Sequence, residues 1–170
     1  MKKKYIILIV VFCGVFFFDQ FTKAWVRRSL QEYESREVIE NYFDITYVKN
    51  TGAAFGLLAG RANPIRTTFF VIISGIAIGV ILFMYRKIRD GDTLHALAFS
   101  LLLGGAAGNM VDRLWMGQVI DFLDFHWHDY HWPAFNFADA AICGGIGLIL
   151  FNMVMGARRG SFEGREGVRR

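Results

Sequence analysis

The sequence predicts an α-helical membrane protein of four transmembrane helices with a small extracytoplasmic β-sheet and an interfacial loop or helix. Three observations carry that fold class. The 170 residues are 54% hydrophobic and 16% aromatic with only two prolines, too apolar a balance for the polar surface of a soluble domain. Four stretches reach the roughly 20 residues needed to cross about 30 Å of hydrocarbon as helix. Lys and Arg are distributed unevenly between the connections.

The spans run from about Tyr5 to Trp25, Thr67 to Tyr85, Thr93 to Val111 and Phe135 to Met155, within a single integral membrane domain covering 1–170. An even number of spans puts both termini on one side. That side carries eleven Lys and Arg, in Lys2 to Lys4, in Arg86, Lys87 and Arg89, and in the tail from Arg158 to Arg170. The other side has seven, spread over longer segments. Positive segments stay inside, so both termini are expected in the cytoplasm.

The start, three lysines and then an apolar run, has the shape of a signal peptide. No small-residue cleavage site follows, and Phe12 before Cys13 is too bulky for a lipoprotein signal. The segment therefore reads as an uncleaved first span. The basic balance is a topology signal and a weak attraction to anionic lipid, with no argument for nucleic acid. Cys13 and Cys143 each lie about 12 Å from opposite ends of their spans at 1.5 Å per residue, so no disulfide is expected.

Between the first two spans, Tyr42 to Val48 is rich in β-branched and aromatic residues and partly alternating. It predicts an extracytoplasmic β-segment over about 38–60, with Arg27 to Arg36 a polar connector. The short charged loop from Arg86 to Asp92 makes spans two and three antiparallel neighbours. Gly104 and Gly108 form a small-residue face for close helix approach. Residues 113–134, dense in Trp, His and other aromatics, read as an interfacial segment, the Gly/Arg tail after Met155 as disordered, and 157–170 as a cytoplasmic tail.

Nearly all polar residues of the spans fall at their outer ends. Asp19 and Lys23 are spaced i, i+4; Asn109, Asp112 and Arg113 close span three; Asn136 and Asp139 open span four; Asp121 lies just beyond span three. One polar site at one depth, built from three helices and a loop, accounts for them. Each also has a structural reading. Asp19 and Lys23 form an intrahelical ion pair, Asn109 and Asn136 serve as interhelical hydrogen-bond glue, and Asp112 pairs with Arg113, whose guanidinium also suits a lipid phosphate.

Asp121 and Asp139 stand in such apolar runs that each needs a task, since an ionisable group there costs several kcal/mol. Two carboxylates in a partly dry site share a proton, one acting as acid and one as base, which suffices to hydrolyse a peptide without metal or cofactor. Spacing alone does not rank Asp121 above Asp124 or Asp129. His126, His128 and His131 lack the helical spacing of a zinc site, so no metal is assigned to them. A proton- or cation-coupled transporter is the alternative, but it calls for polar residues through the bundle depth and an internal repeat. The sequence shows neither.

Five segments, in order, resemble the signature of lipoprotein signal peptidase, or signal peptidase II. They are Asp19-Gln20-Phe21-Thr22-Lys23; Asn50-Thr51-Gly52-Ala53-Ala54-Phe55-Gly56; Gly105 to Arg113; Val119-Ile120-Asp121-Phe122; and Phe135-Asn136-Phe137-Ala138-Asp139. The resemblance implies an aspartic endopeptidase of the bacterial cytoplasmic membrane. It would cut diacylglyceryl-modified prolipoproteins on the amino side of the lipidated cysteine; the outer face is where the topology already puts the polar ends of the spans, and nothing in the sequence demands more than a monomer among membrane lipids. The resemblance implies Asp121 and Asp139 as the catalytic pair, and Asn50, Gly52, Asn109, Arg113 and Asn136 as site-lining or substrate-binding. Asp19, Lys23 and Asp112 are then structural polar residues.

Overall fold

The computed structural model describes residues 2–52 and 63–166, with side chains as far as Met155. The chain folds as α1 (Lys3–Ser29), β1 (Ser35–Ile39), β2 (Phe43–Asn50), α2 (Pro64–Lys87), α3 (Thr93–Met116), β3 (Val119–Trp127), β4 (Tyr130–His131) and α4 (Phe137–Glu166). Each helix is long and apolar enough to cross a membrane. α3 is the central one: half of its most apolar window is buried, against 6–11% in the other three. Those three turn large side chains such as Phe17, Ile76, Phe83 and Phe151 outward, as a bundle facing lipid requires.

The helix ends follow from local chemistry. Asn63 accepts from the Ile65 N–H and Pro64 occupies the first turn of α2, where its missing N–H costs nothing. Asp92 caps α3 by accepting from His95, and Gly117 closes it at φ 75°, a conformation glycine adopts without a Cβ penalty. At the opposite end from the sheet, Lys4 donates to the Ile88 carbonyl at 2.6 Å and Tyr85 donates to the Lys4 carbonyl, tying α1 to α2.

Close packing around α3 rests on its glycines. A Cβ at Gly108 would sit 2.6 Å from Asp19 Oδ2 on α1, and one at Gly105 would collide with the Ala138 carbonyl on α4. The small-residue face predicted at Gly104 and Gly108 thus meets α1, and Gly105 adds a second contact to α4.

The strands pair antiparallel in the order β1-β2-β3-β4. The β2–β3 register places Val48 opposite Asp121 and Asn50 opposite Val119, with a register shift between Ile45 and Val48. Val26 and Leu30 at the end of α1 pack with Tyr47, Ile120 and Phe122 to fasten the sheet on the bundle. Phe135 pairs with Leu123 through backbone hydrogen bonds of 2.8 and 3.1 Å, bringing the start of α4 alongside β3.

Four expectations change. The connector from Arg27 to Arg36 is shorter, because α1 runs to Ser29 and Ser35 already belongs to a strand. The interfacial segment 113–134 is the last turn of α3 followed by a β-hairpin, for which Val119 to Trp127 has the β-branched and aromatic composition. The β-segment of 38–60 is two strands ending at Asn50, and residues 53–60 fall outside the described residues. The tail expected to be disordered beyond Met155 continues α4 to Glu166, since extending a formed helix fixes only one residue per hydrogen bond; 167–170 lie outside the description.

Candidate active site

α4 begins with a reciprocal cap. Asn136 Oδ1 accepts from the Asp139 N–H at 3.0 Å, and Asp139 Oδ2 accepts from the Asn136 N–H at 3.3 Å, an Asn/Asp version of the capping box. The Ala138 N–H between them is taken by Asp19 Oδ1 at 2.9 Å. Asp139 is therefore fixed by the geometry of a helix start. Asp121 is fixed by a strand, two residues into β3 and 3% exposed.

Three asparagines join the two carboxylates. Asn50 Nδ2 donates to Asp121 Oδ2 at 2.9 Å, Asn136 Nδ2 to Asp121 Oδ1 at 2.7 Å, and Asn109 Nδ2 to Asp139 Oδ1 at 2.8 Å. With the Asn136 N–H on Asp139 Oδ2, each of the four carboxylate oxygens accepts one N–H. The direction of every amide is set by a donor at its carbonyl end: the Gly52 N–H on Asn50 at 2.8 Å, the Asp139 N–H on Asn136, and the Lys23 ammonium on Asn109 at 2.9 Å. Such groups only donate, so each amide must turn its NH2 toward the carboxylates.

Beneath this layer Lys23, 2% exposed, is held by Asp19 Oδ2 at 2.8 Å and Asp112 Oδ2 at 2.9 Å. Its three N–H groups thus meet three acceptors. A buried charge needs such complete pairing. Gln20 donates to Asp112 Oδ1 at 3.0 Å and to the Gly108 carbonyl at 3.2 Å. Asp112 also accepts from the Ile120 N–H at 3.3 Å, linking the ion cluster to β3 beside Asp121.

Arg113 lies at the rim. It donates to the Gly52 carbonyl at 2.9 Å and the Asn109 carbonyl at 3.3 Å, and its guanidinium stacks over Phe70 of α2 at 5.2 Å. Asp121, outside the spans, is pushed up to about 7, first by burial and then by the charge of Asp139, against the pull of the Asn50 and Asn136 amides. Two carboxylates so placed readily share one proton.

The polar residues expected to converge do so: Asp19, Lys23, Asn50, Gly52, Asn109, Asp112, Arg113, Asp121, Asn136 and Asp139 form one connected site. The Asp19–Lys23 pair is intrahelical as expected and gains Asp112 as a second anion. The expected Asp112–Arg113 pairing is replaced by Asp112 with Lys23 and Arg113 with backbone carbonyls, because neighbours on a helix diverge by about 100°. Asp124 and His131 bond each other further along the sheet, at 2.9 Å. Among the described residues no group of His, Cys, Asp and Glu is spaced as metal ligands. The sequence alone does not single out Gln20, although its place beside Asp19 in an apolar run marks it; Phe70 gives no signal among many lipid-facing phenylalanines.

A family model described as signal peptidase (SPase) II matches residues 11–155. The lipoprotein signal peptidase of Geobacter sulfurreducens is 46% identical over 94% of this chain and 98% of its own length. That of Syntrophotalea carbinolica is 46% identical over 85% and 88% respectively. A solved bacterial membrane enzyme superposes with a TM-score of 0.79 at 34% identity, covering 88% of each chain. These matches span all four helices and the polar site between them, and the chain belongs to the signal peptidase II family.

Proposed function

We propose that Asp121 and Asp139 are the catalytic pair of an aspartic endopeptidase. Signal peptidase II removes signal peptides from prolipoproteins, and nothing in the family match favours a transporter. The observation that supports the aspartic mechanism is the set of amides turned by Gly52, Lys23 and Asp139 toward three of the four carboxylate oxygens, the fourth accepting from the Asn136 backbone N–H. With one proton between the carboxyls, the ionised one draws a proton from water as it attacks the scissile carbonyl. The protonated one donates to that carbonyl oxygen. Collapse of the tetrahedral intermediate then transfers a proton to the departing amine.

Roles for the neighbouring residues follow from where they lie. Arg113, held by Gly52 and Phe70, keeps further N–H donors among the described residues to offer substrate carbonyls, and Asn50 and Gly52 at the end of β2 line the path of an extended peptide. The substrate is a diacylglyceryl-modified prolipoprotein, cut on the amino side of the lipidated cysteine. Its acyl chains hold the scissile bond at headgroup level, where the site sits at the sheet end of the bundle. The charge bias argues for that end lying at the outer face of the bacterial cytoplasmic membrane, with both termini inside.

The test is cleavage of a synthetic lipidated prolipoprotein peptide in detergent by wild type, Asp121→Asn and Asp139→Asn, with chelator present. Loss of at least about 10³-fold in kcat in both variants, with wild type untouched by chelator, is expected for a unit of this kind. Residual cutting near the wild-type rate in either variant would reject the pair.

A further inference from the structure

Beyond the site, the sheet carries a row of ionisable groups that the reaction does not use. Glu37 on β1, Asp44 on β2 and Asp124 on β3 are direct cross-strand partners, and His126 on β3 partners His131 on β4. Alternation along a strand puts residues 124 and 126 on one face, so three carboxylates and two imidazoles share it. Like charges directly opposite one another destabilise a sheet unless cations intervene.

The ring of His126 shows where a cation must be. Its Nδ1 lies 3.0 Å from the His128 carbonyl, an acceptor only, so Nδ1 carries a proton. Its Nε2 lies 3.4 Å from Asp44 Oδ1, and among the described residues both atoms are buried without a hydrogen-bond partner. A neutral ring with its proton on Nδ1 would aim a bare lone pair at a carboxylate oxygen. The imidazolium carries a proton on each nitrogen and sets positive charge against the Asp44 carboxylate. His131 stacks on it with centroids 4.6 Å apart and gives its own Nδ1 to Asp124.

We propose that His126, held as an imidazolium against Asp44, is a positioning residue: a proton-operated clasp that ties β2 to β3 and steadies Asp121 further along β3. The clasp bridges the strands on the far side of the register shift from Asn50 and Asp121. Without it, that half of the β2–β3 pair has a repulsive carboxylate pair at its centre. The pKa of His126 is raised, first by the His128 carbonyl and, against burial, by Asp44 and Asp124. A raised imidazole contributes its stabilisation fully below the ordinary value and loses it as pH rises through the elevated one.

The clasp is tested directly by ¹⁵N NMR titration of the His126 ring in the full-length protein in detergent. The expected result is protonation of both ring nitrogens with a midpoint above about 6.5, falling toward that value in Asp44→Asn. The kinetic half rests on the peptidase reading and is read separately. Asp44→Asn should raise KM for the lipidated peptide by about threefold at pH 6 and not at pH 8.5, with kcat unchanged. His126→Gln, which offers Asp44 an amide N–H at all pH, should hold KM level across the range. A His126 midpoint at or below 6.5, or a KM ratio that is the same at both pH values, would overturn the clasp. Should the peptide not be cut at all, the peptidase reading fails while the titration midpoint alone still decides for or against the clasp.

Discussion

The direction of a single amide decides how much charge the site tolerates. Asn109 faces Asp139 with its NH2 because Lys23 claims its oxygen. Asn109→Asp keeps the shape but swaps the donor for an acceptor, and kcat should fall at least about 10²-fold in the peptide assay with KM little changed. Asp121 gives the pH dependence. Pushed up to about 7, it retains its proton in the native state where the unfolded chain has lost it, so stability declines as pH rises from about 4 to 7. Asp121→Asn, which has no carboxyl to titrate, should therefore lack that decline, its melting temperature falling less than that of wild type between pH 4 and pH 8 in a thermal-melt series. In wild type, activity should fall above pH 7 as the pair loses its shared proton.

At the scale of elements, α3 meets α1 and α4 through atoms that leave no slack. Gly108→Ala places a methyl 2.6 Å from Asp19 Oδ2. The displaced carboxylate must release either Lys23 or the Ala138 N–H, so stability in a thermal melt should drop by roughly 1–3 kcal/mol, and kcat with it. The four helices are legible in the sequence because a run of apolar residues needs no partner to be recognised. Their ends are less so: Asn136 and Asp139 read as polar residues of a span, while their reciprocal cap depends on the turn from Phe135 into Phe137. The hairpin of β3 and β4 is hidden because Trp, His and Phe satisfy the compositional rule for a membrane interface as well as that for a strand. Asp121 and Asp139 stand out as misplaced charges, whereas Gln20 and Phe70 take their roles only from neighbours on other helices.

On the scale of the whole molecule, α3 organises everything else: α1 and α4 pack along it and the sheet closes one end. α2 packs chiefly on α3 and meets α1 at the end away from the sheet. The charge bias predicts that reporter domains fused at either terminus stay inside the cell. A cysteine placed at exposed Tyr130 should be labelled by an impermeant reagent added outside. Labelling from the opposite side would invert the topology and with it the assignment of the site to the outer face.

The full set of N–H groups on the two carboxylates bears on inhibition. Among the described residues each oxygen accepts one hydrogen bond and retains a second lone pair, so a hydroxyl lodged between Asp121 and Asp139 adds to the arrangement and displaces none of those bonds. A compound that instead reaches for Asp139 Oδ2 from the side of the Asn136 N–H has to unwind the first turn of α4. Tight blockers of this protein should therefore be neutral alcohols presented on an extended backbone, and bulky cations should bind poorly however well they match the charge.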